Sequence, residues 1–157
     1  DEEIVTLDTA DAPDGPVEPD TTESPEGPKV SLGEVTPDLL FTPIESGQNL
    51  EIVQGPQGGV HVEVGVRVDL EAGLTTTLAT LDARSFIDDE LVGEMLLADY
   101  GLYETDSGYV SWPIPVIFFT NLADPYVGSM LDIHLEVILE DGTSGAGSAQ
   151  VHLIDWY

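Results

Sequence analysis

From residue 29 onward, apolar and polar residues alternate with a period of two in short runs separated by Gly, Pro, Asp and Asn. This is the pattern of strands with one buried face. The clearest run sets Val60, Val62, Val64, Val66 and Val68 against His61, Glu63, Gly65, Arg67 and Asp69, so one face is entirely valine. A second sets Leu131, Ile133, Leu135, Val137 and Leu139 against Asp132, His134, Glu136, Ile138 and Glu140, and Asp141-Gly142 turns it as a hairpin into the last strand. That strand is predicted over 148–156, with others over 50–54, 75–81, 91–102 and 109–120. No long helical pattern interrupts them, so the expected fold is all-β: an immunoglobulin-like two-sheet β-sandwich of about seven strands. One segment reads two ways. Over 85–97, Ser85 followed by Asp88 matches a helix cap and Ile87, Leu91 and Met95 recur at helical spacing, whereas Gly93 inside the pattern opposes a long helix.

The stretch from Trp112 to Phe119 permits a sharper inference. Pro113 and Pro115 stand two apart and remove donors from the same edge of an extended chain, which a central strand does not tolerate. An edge strand with both prolines turned outward is predicted, blocking edge-to-edge aggregation while its other edge stays paired. Pro113, Pro115, Ile117 and Phe119 share one face opposite Trp112, Ile114, Val116 and Phe118, so the strand is apolar on both sides. One side is then either covered by a loop, the simpler expectation, or is a contact patch.

Composition divides the chain. Residues 1–28 hold ten carboxylates, no basic residue and five prolines, too little apolar surface to offset the entropy of ordering. They are expected to be a disordered acidic leader, either a tether that holds the 29–157 domain away from a surface or a tail without function. The full chain carries 31 Asp+Glu against 3 Lys+Arg, a net charge of -28. Such a surface repels phosphate backbones and anionic lipid, which excludes the usual nucleic-acid readers and leaves basic partners and divalent cations. No apolar run approaches the ~18–20 residues of a membrane helix, so no transmembrane segment is expected. With no Cys there is neither a disulfide nor a thiolate ligand. The first residue, Asp1, leads to the expectation that an upstream segment has been removed.

Turn chemistry dominates Gln54-Gly55-Pro56-Gln57-Gly58-Gly59-Val60-His61, where Pro56 suits the second position of a turn and the glycines tolerate positive φ. The simplest reading is a hairpin connection. The string QGPQGGVHVEVGVRV, with the terminal pair IHLEVILEDGTSGAGSAQVHLID, resembles a group of uncharacterised exported proteins and lipoproteins of myxobacteria and their relatives. These carry a Gly-Pro-Gln-Gly-Gly-x-His motif at the start of a β-sandwich, after an acidic or low-complexity leader. Gly55, Pro56, Gln57, Gly58, Gly59 and His61 match that motif, and 40–155 match loosely. The resemblance implies an exported domain, periplasmic or at the cell surface, anchored by a lipid on a Cys upstream of this chain. It brings no established activity.

Two of the three histidines open similar tripeptides, His61-Val62-Glu63 and His134-Leu135-Glu136, which in a strand aim an imidazole and a carboxylate to the same side. His61, Glu63, His134 and Glu136 are therefore candidate zinc or copper ligands, with His152 as a cross-strand neighbour of His134. The alternative is that outward strand positions are polar in any case. Asp88-Asp89-Glu90, Asp82, Asp99, Asp106 and Asp124 are candidate calcium ligands, without an EF-hand spacing. There is no Gly-x-Ser-x-Gly elbow, phosphate loop or His-Glu-x-x-His, so no catalysis is expected. The expected role is a surface-tethered binding or structural module of the cell envelope, its partner a protein or other envelope component. Contact residues are expected at Gln57 and His61, then at Pro113, Pro115, Ile117 and Phe119. The alternative is an envelope protein that binds calcium, or zinc or copper through His.

Overall fold

The computed structural model describes residues 27–70 and 78–155, and they are all-β, with no helix among them. Eleven strands follow in chain order: β1 (Lys29–Val35), β2 (Phe41–Pro43), β3 (Gln48–Glu51), β4 (Val53–Gln54), β5 (Val60–Asp69), β6 (Leu78–Ile87), β7 (Glu90–Thr105), β8 (Gly108–Ser111), β9 (Ile114–Ile117), β10 (Met130–Leu139) and β11 (Ser144–Ile154). They form an open mixed sheet in the order β2-β1-β5-β8-β7-β6-β10-β11-β3, while β4 and β9 pair with β5 off this path. β3 runs parallel to β11, and the other pairings are antiparallel.

The count exceeds seven because two predicted runs are divided, 50–54 into β3 and β4 and 109–120 into β8 and β9, and because β1 and β2 are additional. The leader expected over 1–28 falls outside the described residues except for Gly27 and Pro28, as do 75–77 and Trp156 of two predicted strands.

β5 organises the molecule. Its five valines are all buried, each at 1% exposure or less. Each contributes about 1.5–3 kcal/mol relative to an exposed side chain. At His61 the strand is flanked by Val53 of β4 and Ile117 of β9, and at Arg67 by Ser31 of β1 and Val110 of β8, so it is paired on both edges near each end. Between β9 and β8 the register slips by one residue, from Val64 opposite Ile114 to Arg67 opposite Val110. The buried hydroxyl of Ser111 fills the interruption, accepting a hydrogen bond of 3.0 Å from the Val66 N–H.

The predicted hairpin between 131–140 and the last strand is present, with Ile138 opposite Ser144. Leu131, Ile133, Leu135, Val137 and Leu139 of β10 join the β5 valines in one core cluster. The helical alternative over 85–97 is overturned: Ile87 opposes Glu90 across a two-residue turn in which Asp88 and Asp89 both have positive φ (49° and 64°). That is the twist a two-residue hairpin needs. Register shifts between Ser85 and Phe86, and again between Ala79 and Leu81, each place one extra residue in β7. Such bulges reverse which residues face inward, and a repeat of four fits alternate positions of a strand as well as a helix.

Gly93 lies where β9 leaves β5 for β7. A Cβ there would collide with the Ile117 carbonyl oxygen and stand 2.8 Å from the Ser85 hydroxyl. The Phe119 N–H, just beyond, donates to the Val92 carbonyl at 2.8 Å.

Candidate functional site

The outward side of β5 carries the first candidate residues, and its entry turn is built as the sequence dictates. The Gly58 N–H donates to the Gly55 carbonyl at 2.9 Å and the Gly55 N–H to the Gly59 carbonyl at 2.7 Å, which makes Pro56 the second residue of the turn. Gly58 holds φ at +84°, a conformation that costs glycine nothing. Gln57 stands exposed at the tip. His61 follows on the strand, its side chain 16% exposed and its Nε2 3.8 Å from Glu63 Oε1.

The edge-strand prediction can be read from one bond. The Phe118 N–H donates to the Val60 carbonyl at 2.9 Å, so by alternation Ile114 and Val116 also direct their N–H groups toward β5. Pro113 and Pro115, of opposite parity, turn their donor-free nitrogens to the edge away from β5, which beyond them meets β7 through the Phe119 N–H and the Val92 carbonyl. Ile114, Val116 and Phe118 are buried. The other face is not roofed by a loop, contrary to the simpler expectation: Ile117 is 43% and Phe119 60% exposed. Trp112 does not share the face of Ile114, Val116 and Phe118 with which the sequence groups it. The strand breaks at 112–113, and Trp112 lies exposed with its ring edge-on to that of Tyr103, centroids 6.2 Å apart. Beside it the Tyr100 hydroxyl donates to the Pro113 carbonyl at 3.3 Å. Burial, then the neighbouring Tyr103, raises the Tyr100 phenol above its ordinary value and keeps it a neutral donor.

The two stretches singled out in the sequence thus meet. His61 opposes Ile117 and Glu63 opposes Pro115 across the β5–β9 ladder, and all four project from the side opposite the buried valines. The same face continues into a cavity of about 430 Å³ lined by Glu34, Glu51 and Glu63 together with Val35, Val53 and Pro113. Glu34 accepts a hydrogen bond of 3.0 Å from Gln48. Sequence reasoning missed Glu34 and Glu51. They lie on β1 and β3: Glu34 comes beside β5 through the long-range pairing of β1, and Glu51 stands just before β4, whose Val53 opposes His61 across the entry hairpin.

His134 and Glu136 stand elsewhere. They lie on the outer side of β10, between Arg84 and Asp82 of β6 and their β11 partners Ser148 and Ala146, and border a groove of about 330 Å³. The His134 ring meets Phe86 edge-on at 5.5 Å. Because the inner sides of β5 and β10 share one core, His61 and His134 point away from each other, and His61, Glu63, His134 and Glu136 do not form a single site. Nor does His152 oppose His134: it is paired with Met130, four residues along, and its Nδ1 lies 3.1 Å from Asn49 Oδ1. Asp88, Asp89 and Glu90 occupy the β6–β7 hairpin, Asp82 the middle of β6, Asp99 a bulge in β7, Asp106 the β7–β8 turn and Asp124 the segment before β10. Among the described residues, no group of three or more His, Asp or Glu is placed to hold a metal ion. Also among them, no helix is long and apolar enough to cross a membrane.

Neither the models of known protein families nor the curated proteins match this chain.

Proposed function

We propose that the chain is an exported, surface-tethered binding or structural module of the cell envelope, without catalysis, that makes its contacts through the β5–β9 face. The observation that carries this reading is the convergence on one face of His61 with the half-exposed Ile117 and Phe119 beside Pro113 and Pro115. A monomer that only had to stay soluble would gain nothing by exposing these apolar groups together. The acidic leader supplies reach, and the resemblance to exported myxobacterial lipoproteins supplies the compartment.

The fold we propose is an immunoglobulin-like two-sheet sandwich. In that arrangement strands A, B, E and D make one sheet and C, F and G the other. Taking β4, β5, β6, β10 and β11 as A, B, C, F and G, and β8 with β9 as E, gives neighbours β4-β5-β9 and β6-β10-β11 as required. The long β7 then serves both sheets, pairing β6 through Gly101 and β8 from Leu102 onward. β1 and β2 are an addition at the A edge.

The test is a photo-reactive residue placed at position 117, and in a control at position 89, in the cells that make the protein. The expected result is recovery of the chain in the envelope fraction, with a discrete adduct from position 117 alone. Recovery in the cytoplasm, or the same adducts from both positions, overturns the proposal.

A further inference from the structure

We infer that the β5–β9 face docks a basic, apolar-anchored segment of a partner protein, with a lysine or arginine side chain entering the cavity of Glu34, Glu51 and Glu63 and an apolar residue resting on Ile117 and Phe119. This deepens the binding reading above and rests on it.

The choice of occupant follows from what the face excludes and what it complements. An added β-strand is excluded because the edge of β9 away from β5 already faces β7, where the Phe119 N–H donates to the Val92 carbonyl, and because Pro113 and Pro115 give that edge no donors. A second copy of the chain meets repulsion from its own net charge of -28, and anionic lipid meets the same field. A cation meets the reverse. Glu34, Glu51 and Glu63 line one cavity whose remaining walls include Val35, Val53 and Pro113, which suits a long aliphatic stem ending in a charge.

The neighbouring rung sets the spacing. Glu63 opposes Pro115 at the cavity and His61 opposes Ile117 on the next outward rung. In extended chains, same-side residues two apart lie about 6.6–6.8 Å from each other. An extended partner segment with a basic residue and a large apolar residue two positions apart therefore meets both features at once. Affinity comes from side chains laid across the face, not from its edge.

The test is a heteronuclear NMR titration of the full chain at about 0.15 M salt, where the Debye length is about 8 Å. The probe is the amidated peptide Gly-Lys-Ser-Phe-Ser-Lys-Gly, beside counterparts with Lys→Gln or Phe→Ser. The expected result is a set of shifts centred on 61–63 and 115–119. Affinity should fall at least tenfold in the Glu34→Gln, Glu51→Gln, Glu63→Gln triple variant and also in Ile117→Ser. It should fall less than threefold in Asp88→Asn, Asp89→Asn, Glu90→Gln, which removes the same charge from a remote hairpin tip. These substitutions fall on exposed side chains, and circular dichroism verifies that each variant folds. Equal weakening by the two triple variants would reduce the effect to diffuse attraction and overturn the inference. Equally tight binding of the Lys→Gln peptide overturns the cationic pocket but leaves the apolar contact face of the wider reading standing. No shift with any peptide overturns the inference, while the crosslink at position 117 still decides the binding module on its own.

Discussion

Replacing Gly93 with alanine probes the junction that holds the contact strand in place. The added methyl would collide with the Ile117 carbonyl oxygen and come within 2.8 Å of the Ser85 hydroxyl, in a site closed by backbone rather than by a flexible side chain. Forcing a methyl into such a site costs about 1–3 kcal/mol. Relief requires β9 to withdraw from β7, which stretches the 2.8 Å bond from Phe119 to Val92. Loss of that bond adds about 0.5–1.5 kcal/mol. Gly93→Ala is therefore expected to destabilise by about 2–4 kcal/mol, a large part of the ~5–15 kcal/mol typical of a domain. Two controls separate crowding from backbone conformation. At Gly59 no atom lies within 4 Å and φ is ordinary, so alanine should be neutral or stabilise slightly by restricting the unfolded chain. At Gly58 the space is equally open but φ is +84°, so alanine should cost about 1–2 kcal/mol from conformation alone. Urea unfolding followed by far-ultraviolet circular dichroism measures all three. A Gly93→Ala protein within about 0.5 kcal/mol of wild type, or no less stable than Gly59→Ala, would refute the close approach of β9 and β7.

Ser111→Ala should cost about 1–3 kcal/mol by leaving the buried Val66 N–H without an acceptor. Hydrogen exchange at the Val66 amide checks it, and unchanged protection would contradict the bond. Thr143 donates to Asp141 through both its hydroxyl and its backbone N–H, which holds the Asp141 carboxyl below its ordinary value. Thr143→Val should raise that value in an NMR titration without fully restoring it, since the backbone donor remains. A folded value below the unfolded one stabilises above the unfolded pKa, near 3.9, and that stability is lost as pH falls through the lowered value. The gap in stability between wild type and Thr143→Val should therefore close in acid, and a gap that widened there would refute the assignment. Because His61 and His134 face opposite sides, any shift of the unfolding midpoint by Zn²⁺ at high ionic strength should be changed additively by His61→Ala and His134→Ala. Coupling beyond about 0.5 kcal/mol would contradict the placement.

The all-β class, the valine face of β5, the β10–β11 hairpin and the proline-blocked edge of β9 were legible in the sequence because each rests on local geometry. Alternation buries every second residue, a missing N–H cannot pair, and Pro and Gly fix a turn whatever lies beyond it. The candidate contacts were legible only in pieces. Gln57 and His61 announce themselves by turn chemistry and Ile117 and Phe119 by an apolar run, but nothing in the order of residues says that His61 opposes Ile117. Other readings were not legible, for two different reasons. The four-residue spacing of Ile87, Leu91 and Met95 fits alternate strand positions as well as a helix, and the Asp88-Asp89 turn decided between them; whether a loop covers Ile117, and how His61 and His134 lie relative to each other, depend on how distant segments stack. Bulges in β7 shift parity by one residue, and a shared core turns two outward histidines to opposite sides. Glu51 and Glu63 flank a hairpin that the turn residues announce, but Glu34 joins them only through the pairing of β1 with β5. For β5 and β10 the sequence by itself determined which residues face in and which face out, because an unbulged strand's alternation is local to it. Which outward residues become neighbours was decided only by the pairing of the strands around a shared core, because strand register is set by long-range packing.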